Sequence, residues 1–276
     1  MIGKGCYGRK SDRKTIKRYL CHNCHRTFSG ATQSAAWGQN KRQFNQKIFR
    51  MLCSSMSMRR IAKELKIARR TVERKKVFMA QLCALKNNRF CEIFKCENQN
   101  FLIQFDELET SIHSKCKPVS VAIAVGAKKR KILGFEISIM PAKGKIAKKA
   151  RKKYGYRPDQ RPAGLNRLFF KIKPTVTLET EFCSDMNLMY RPILKNHFPN
   201  TTYIQHKSKG GCVTGQGELK KVEFDPIFSL NHTLAMMRAN INRLVRRTWC
   251  TSKTIQGLRE HLHLYMHYHN EYLTPA

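Results

Sequence analysis

Two aspartates, Asp106 and Asp185, each follow an apolar, strand-like run and are separated by 79 positions (185 minus 106). Carboxylate oxygens are the ligands that hard divalent cations prefer. Two carboxylates that meet in space can hold Mg²⁺ or Mn²⁺ ions about 3.5–4 Å apart, which activate water on one side of a phosphodiester and stabilise the leaving oxygen on the other. The pair therefore predicts metal-dependent phosphodiester chemistry, provided that the fold brings the two side chains together.

The surrounding elements predict how these aspartates are positioned. Three antiparallel strands, a helix, a strand, a helix, a short strand and a long helix opening near Ser229 are expected in that order. The strand-like runs are "NFLIQF" (100–105), "PVSVAIAV" (118–125), "ILGFEISI" (132–139), "TVTLETEFCSD" (175–185) and "TTYIQH" (201–206). This order is the ribonuclease-H-like arrangement, an α/β fold with a mixed (α+β) sheet, in which the first and fourth strands lie side by side and parallel. Asp106 and Asp185, each expected to end its strand, should then meet at one sheet edge.

Each aspartate also has a simpler interpretation. Asp is common at turns, so either residue alone could merely end a strand. Glu107 and Glu109 complete an acidic cluster next to Asp106. Because side chains alternate along a strand, Glu107 should point away from Asp106 and form a salt bridge or support the site instead of binding metal.

The charge of the chain points to a polyanionic partner. Its 54 Lys and Arg against 18 Asp and Glu give a net charge of +36 over 276 residues. Such a surface can follow a phosphate backbone and release its counterions, which favours nucleic acid over an acidic membrane. There is neither a signal peptide nor an apolar stretch of about 18 residues, so no membrane association and a cytoplasmic location are expected. A further basic insert, 141–174, is expected to contact phosphate and to be broken at its centre by Pro158 and Pro162.

The segment 1–35 contains the motif "YLCHNC", in which Cys21 and Cys24 have the spacing of one zinc knuckle. Two thiolates are half of a tetrahedral Zn²⁺ site. Only Cys6 lies upstream, and His22 and His25 crowd the same turn. The alternatives are a partial zinc ribbon and a plain loop with free thiols.

The region 40–86 predicts a helix-turn-helix. Ser57 is expected to cap a first helix, a break follows at 66–68, and a second short helix begins near Arg70. Residues 86–98 are expected to be a connector. The second helix should present a row of basic side chains to the major groove of DNA. This row consists of Arg69, Arg70, Arg74, Lys75 and Lys76. The alternative is a solvated basic helical hairpin.

Taken together, these motifs resemble the insertion-sequence DDE transposases of the short-element class. Members of that family combine a zinc ribbon, a helix-turn-helix and a ribonuclease-H-like catalytic domain, which here would occupy 99–276. The resemblance extends over nearly the whole chain, and its most specific part is "RLVRRT" at 243–248. It implies that Asp106 and Asp185 are the first two catalytic acids and that His206 matches a histidine after the fifth strand.

The third acid of the family is not a Glu in this sequence. The matching position in the first turn of the last long helix is Asn231, with His232 beside it. Three alternatives remain open: Asn231 or His232 completes the metal site, Asp225 or Glu218 reaches in from the preceding loop, or the activity is impaired. Asn231 could also simply cap the helix.

The stretch "RLVRRT" is expected to continue the last long helix. Leu244 would pack, and a basic face would either bind the transferred DNA end or be solvated. The exposed residues of that face would be Arg243, Arg246 and Arg247.

The sequence therefore predicts a DNA transposase that depends on Mg²⁺ or Mn²⁺, with Zn²⁺ as a second metal if the knuckle is completed. Its partners would be the terminal repeats of the element and the target DNA, and the family implies a homo-oligomer. Two other functions remain open: a decayed transposase that binds DNA without catalysis, and a structure-selective nuclease that cuts without joining strands.

Overall fold

A computed structural model describes residues 1–10, 13–97, 102–207, 225–244 and 251–274. The strands in these ranges are β1 (Ile2–Arg9), β2 (Lys14–Leu20), β3 (Thr27–Ser29), β4 (Leu102–Ser111), β5 (Pro118–Gly126), β6 (Lys131–Ile139), β7 (Glu181–Asp185) and β8 (Thr202–His206). The helices are α1 (Asn45–Leu52), α2 (Met58–Glu64), α3 (Arg69–Glu97), α4 (Ala147–Tyr154), α5 (Arg161–Ile172), α6 (Tyr190–His197), α7 (Phe228–Asn240) and α8 (Ile255–Tyr268). None of these helices combines the length and apolar character that a bilayer span requires.

The main sheet has five strands in the order β6-β5-β4-β7-β8. The first three strands of this sheet in sequence, β4 to β6, are antiparallel, whereas β7 runs parallel to β4 and β8 runs parallel to β7. The fold is therefore mixed α/β with a mixed sheet. The predicted parallel contact between the first and fourth strands of this sheet is confirmed.

Strand β4 is longer than the sequence predicts. It continues through Asp106 to Ser111, so the prediction that Asp106 ends its strand is wrong. The parallel pairing with β7 is shorter and runs from Leu102 to Gln104. Asp106 therefore lies two residues past the last pair, at the point where β4 leaves its parallel neighbour.

The basic segment 141–174 contributes to the core, which its charge did not predict. Pro162 does not break a helix but occupies the first turn of α5, where a missing N–H is tolerated. Leu165, Leu168 and Phe169 of α5 are buried in the layer beneath the sheet. Gly164 allows this close packing, since a Cβ there would lie 1.7 Å from Ser138 Oγ on β6.

Two helical layers enclose the sheet. Helices α5 and α6 cover one face, where they contact Ile103, Phe105 and the alanines of β5. Helices α3, α7 and α8 cover the other face, and α1 and α2 pack on α3 in the same core, which includes the valines of β5. Strand β5 is buried on both sides because its valines and alanines alternate.

The helical region before the sheet differs from the prediction in two ways. Helix α3 has 29 residues, so the second helix of the hairpin is long, and the prediction of a connector at 86–98 is wrong up to Glu97. Buried residues of α1, α2 and α3 also share one core with α8 and the sheet. The predicted region 40–86 is thus packed onto the remainder of the described chain.

Glu136 on β6 joins the two helical layers by electrostatic contacts. Arg259 of α8 donates to its carboxylate at 2.7 Å and Lys171 of α5 at 2.5 Å, and Arg167 lies at 3.5 Å. Burial alone would raise the pKa of Glu136, but the hydrogen bonds from Arg259 and Lys171 outweigh it and lower the pKa to about 2. Ionised Glu136 therefore stabilises the fold.

We expect Glu136→Gln to lower the free energy of unfolding near pH 7 by about 1–3 kcal/mol, because it leaves three partly exposed cations without their counter-charge. Since the pKa of Glu136 is lowered from 4.5 to about 2, its contribution is present above about pH 4.5 and is lost as the pH falls towards 2. Urea denaturation measures the effect. The exposed Glu179→Gln is the control, and an equal loss in both variants would contradict the role of Glu136.

Candidate functional site

The parallel pairing of β4 with β7 brings Asp106 and Asp185 together. Gln104 pairs with Cys183 as the last parallel pair, and Asp106 and Asp185 each follow that pair by two residues. The negative charge of Asp185 contributes to raising the pKa of Asp106, as expected of neighbouring carboxylates. The two acids that the sequence predicted to meet therefore lie near each other where β7 ends, although Asp106 lies within β4 and not at its end.

Asp106 is held in a defined orientation by two donors. The Tyr190 hydroxyl of α6 donates to Asp106 Oδ1 at 3.0 Å, and the backbone N–H of Glu107 donates to the same oxygen at 2.6 Å. Burial and, secondarily, the charge of Asp106 raise the pKa of Tyr190, so its hydroxyl remains a neutral donor. Because both donors bond Oδ1, neither of these hydrogen bonds occupies Oδ2 of Asp106.

The electrostatics of Asp106 favour a bound cation. Burial raises its pKa to about 6, and the neighbouring Asp185 adds to the shift. Within the described part of the chain, no Lys or Arg forms an ion pair with Asp106, although the sequence has 54 of them. Two close carboxylates without a protein cation fit the oxygen ligands of Mg²⁺ or Mn²⁺, since a divalent ion would offset both the desolvation and the mutual repulsion.

Asp185 ends β7 beside the last residue of β8. Its register partner is His206, the histidine that the family resemblance singled out. The backbone N–H of Asn187 donates to Asp185 Oδ1 at 3.2 Å, and the Gln205 amide donates to the Asp185 carbonyl at 3.1 Å. These contacts fix the strand end from which the carboxylate projects.

Glu107 points away from the pair, as the strand alternation predicts. Ser120 on β5 donates to Glu107 Oε1 at 2.7 Å, and Arg161 Nη1 lies 3.9 Å from Glu107 Oε2. The prediction that Glu107 forms a salt bridge instead of joining Asp106 is confirmed.

Helix α7 begins next to the pair because Gln104 holds it there. The Gln104 side chain donates to the Pro226 carbonyl and accepts from the Leu230 N–H, both at 2.9 Å. Gln104 precedes Asp106 by two residues and therefore lies on the same face of β4. The first turn of α7, which holds the position that matches the family's third acid, therefore lies close to Asp106.

The residues at that position have other partners. Asn231 is exposed, and its amide donates to Asp225 Oδ2 at 2.9 Å. His232 Nδ1 lies 3.1 Å from Arg130 Nη1, in the turn between β5 and β6. Across the described ranges, no three His, Cys, Asp or Glu side chains converge on one point, so neither His232 nor Asp225 joins the two aspartates. Glu218, the other alternative, lies outside the described residues.

The predicted DNA-contacting row on α3 divides into two groups. Arg69, Arg70 and Arg74 are exposed. Lys75 and Lys76 are only 5% and 3% exposed, so their prediction as surface contacts is wrong. Lys75 donates to Asn45 at 2.6 Å, and Lys76 lies 2.6 Å from Glu260 of α8. Both lysines therefore hold α3 against its neighbouring helices.

The predicted basic face of the last helix begins after α7 has ended. Arg243 and Leu244 lie in a 3-10 turn at 242–244, so the expectation that they continue the helix is wrong. Leu244 is buried, as predicted, whereas Arg243 is only partly exposed. Arg246 and Arg247 lie outside the described residues.

Cys21 and Cys24 lie in the turn between β2 and β3 of a three-stranded antiparallel sheet. Backbone N–H groups of Cys24 and Asn23 bond the Cys21 sulfur and lower its pKa, as suits a thiolate ligand. Cys6 pairs with Lys17, four residues before Cys21, which is about 13 Å along the strand. The described residues thus supply two of the four ligands that structural Zn²⁺ needs and do not form a complete site.

Tyr190 and Gln104 contact the candidate site and were not predicted from the sequence. Tyr190 is the first residue of α6, the helix that follows Asp185. Gln104 precedes Asp106 by two positions, and a polar residue on the buried face of a strand was the available signal.

No family model matches this chain, and a search of the curated proteins found no similar protein.

We expect Asp106→Asn to stabilise the metal-free protein near pH 8 by about 1–3 kcal/mol. The raised pKa of Asp106 means that stability falls as the pH rises from about 4 through about 6, where the folded protein must give up the proton. Asn keeps the oxygen that accepts from Tyr190 but carries no charge. Urea denaturation with EDTA, and then with MnCl₂, measures the difference.

Mn²⁺ should stabilise the wild type and leave Asp106→Asn unchanged. Asp159→Asn, which removes an acid paired with Arg161, is the control and should keep the Mn²⁺ response. Equal stabilisation of the wild type and of Asp106→Asn by Mn²⁺ would argue against the cation site.

Proposed function

We propose that this protein is a metal-dependent DNA transposase that cuts at the ends of an insertion sequence and joins the freed end to target DNA. The observation that carries the proposal is the parallel β4–β7 register, which brings Asp106 and Asp185 together in a chain of net charge +36. The strand order β6-β5-β4-β7-β8 supports a ribonuclease-H-like catalytic domain. Assembly as a dimer or larger oligomer is part of the proposal and rests on the family resemblance.

Asp106 and Asp185 would hold the divalent cation. When bound, Mg²⁺ or Mn²⁺ activates the attacking water and stabilises the leaving oxygen. In cleavage, the water oxygen bonds to phosphorus while the bond to the 3′ oxygen breaks, which leaves a 3′-hydroxyl. In joining, this hydroxyl attacks a phosphodiester of the target and displaces its 3′ oxygen. Tyr190 fixes the orientation of Asp106 through the hydrogen bond at 3.0 Å.

DNA binding would involve the exposed arginines at the start of α3. Arg69, Arg70 and Arg74 lie at the N-terminal end of α3. Helix α3 packs on α2, whose N-cap residue is Ser57. The turn of β2 and β3 with Cys21 and Cys24 would add a zinc-ribbon-like contact if further ligands complete it. Such surfaces bind phosphates independently of sequence, and a recognition helix adds sequence readout.

A second function is favoured by the first turn of α7. Asn231 bonds Asp225, and His232 contacts Arg130, so in the described residues no third acid completes the pair. A decayed transposase that binds element ends without cutting them would have this arrangement. The two functions share the basic surface and differ only in chemistry at the acids.

We expect the wild type to nick an end-containing duplex in Mg²⁺ or Mn²⁺ and not in EDTA. Asp106→Asn and Asp185→Asn should each lower the rate at least about 100-fold, because each removes a charge that the cation needs, while DNA affinity stays within about twofold. A gel-based cleavage assay and a gel-shift assay on the same duplex measure the two quantities. Tight binding without any cleavage by the wild type would favour the decayed transposase.

The exposed arginines and the buried lysines of α3 should behave differently. Arg70→Gln with Arg74→Gln should weaken DNA binding and reduce the slope of log affinity against log salt by about 1 for each phosphate that the protein no longer neutralises. Lys75→Gln should instead lower the unfolding free energy, since Lys75 is buried against Asn45. Fluorescence anisotropy at several salt concentrations tests this contrast, and an unchanged slope in the double variant would exclude α3 from the DNA interface.

A further inference from the structure

A cavity of about 600 Å³ lies apart from the acid pair, between the starts of α2 and α3 and the chain after α7. This volume is within the range of small-molecule sites, about 300–1,000 Å³. Thr251 and Lys253 form part of its wall, and Ser252 between them pairs with Ile112. Ile112 follows Asp106 by six residues (112 minus 106), which corresponds to about 20 Å of extended strand. The cavity is therefore a separate site.

The wall of this cavity is positively charged. Four cationic side chains line it: Arg59, Arg69, Arg243 and Lys253. Among the described residues of the lining, none is acidic. Glu73 and Glu260 interact electrostatically with Arg243 but do not line the cavity. Clustered guanidinium groups in a concave surface favour a phosphate, which they can bind through paired N–H donors.

Two buried polar atoms in the lining have no partner within the described part of the chain. His261 is 2% exposed, and its Nε2 lies 2.8 Å from the Leu52 carbonyl, so Nε2 carries the proton. Burial lowers the pKa of His261 to about 3, which keeps the ring neutral and makes Nδ1 an acceptor. Among the described residues, neither His261 Nδ1 nor Thr251 Oγ1 has a hydrogen-bond partner. Since buried polar atoms are nearly always paired, both indicate a ligand with donor and acceptor groups.

The remaining wall is partly apolar and also contains Ser57 and Asn242. Leu52, Met56 and Met58 line the cavity beside the polar groups. Thioether side chains adapt to the faces of aromatic rings and contact them favourably. The cavity thus combines a phosphate-binding wall, an apolar surface for a flat ring, and an acceptor and a hydroxyl for polar ring atoms.

We propose that this cavity binds one unpaired nucleotide of a DNA strand, with its phosphate on Arg59 and Arg69 and its base against Met56 and Met58. An amino group of the base donates to His261 Nδ1, and Thr251 Oγ1 bonds a further polar atom of the same base. The assignment to DNA rests on the proposed function, because Arg69 also belongs to the exposed arginine row of α3. Free nucleotides share the chemistry, and the experiment distinguishes the two sources.

The test measures binding of a fluorescent five-nucleotide single strand and of 5′-deoxynucleoside monophosphates to the full chain without metal. We expect the strand to bind at least about tenfold more tightly than the mononucleotides, because its flanking phosphates also attract the basic surface. Arg59→Gln and Thr251→Val should each weaken strand binding at least about fivefold. Arg60→Gln is the matched control, since Arg60 is equally exposed on α2 but does not line the cavity, and it should change affinity less than twofold.

Thr251→Val should leave the unfolding free energy unchanged or higher, because Thr251 Oγ1 has no hydrogen-bond partner to lose among the described residues. Three results would each overturn the cavity assignment. They are no strand binding by the wild type, equal losses of strand affinity in Arg59→Gln and Arg60→Gln, and an unchanged strand affinity in Thr251→Val. Equal affinity for mononucleotides would overturn the assignment to a DNA strand. Asp106→Asn should keep strand binding while losing cleavage, so failure of the cleavage chemistry and failure of the cavity proposal are separable.

Discussion

The parallel pairing of β4 with β7 is the contact on which the candidate site depends. A slip by one residue would turn Asp106 or Asp185 to the opposite face of the sheet. The register is stabilised from both sides: Phe105 and Phe182 lie with ring centroids 6.3 Å apart under the helices α5 and α6, and Gln104 bonds the start of α7 above. The same packing that defines the core therefore determines the distance between the acids.

Two buried acids of the chain show how the surroundings separate a structural carboxylate from a candidate ligand. Glu136 is neutralised by Arg259 and Lys171, and its pKa is lowered to about 2. Among the described residues, Asp106 has only a tyrosine hydroxyl and a backbone N–H as donors, and its pKa is raised to about 6. In a chain so rich in cations, an aspartate without a basic partner is the feature that a divalent ion would explain. Lys75 and Lys76 likewise are basic residues that pack against neighbouring helices instead of lying on the surface.

Features that depend on local pattern were predictable from the sequence. The apolar runs predicted the five strands, their alternation predicted the orientation of Glu107, and helix α7 begins within one residue of the predicted Ser229. Features that depend on distant partners were not predictable. Lys76 is buried because Glu260, 184 positions later (260 minus 76), lies against it, and α5 is a core helix because Gly164 allows it to approach β6. The contact of Tyr190 with Asp106 likewise joins residues 84 positions apart.

The most direct measurement of the central claim is the anomalous scattering of Mn²⁺ in crystals of the wild-type protein. The account predicts a peak bonded to a carboxylate oxygen of Asp106 and of Asp185 at about 2.0–2.3 Å, the distance of hard cation–oxygen bonds. The Tyr190 hydroxyl should remain bonded to Asp106. A Mn²⁺ peak bound elsewhere with none at this pair, or two carboxylates turned away from each other, would contradict the account.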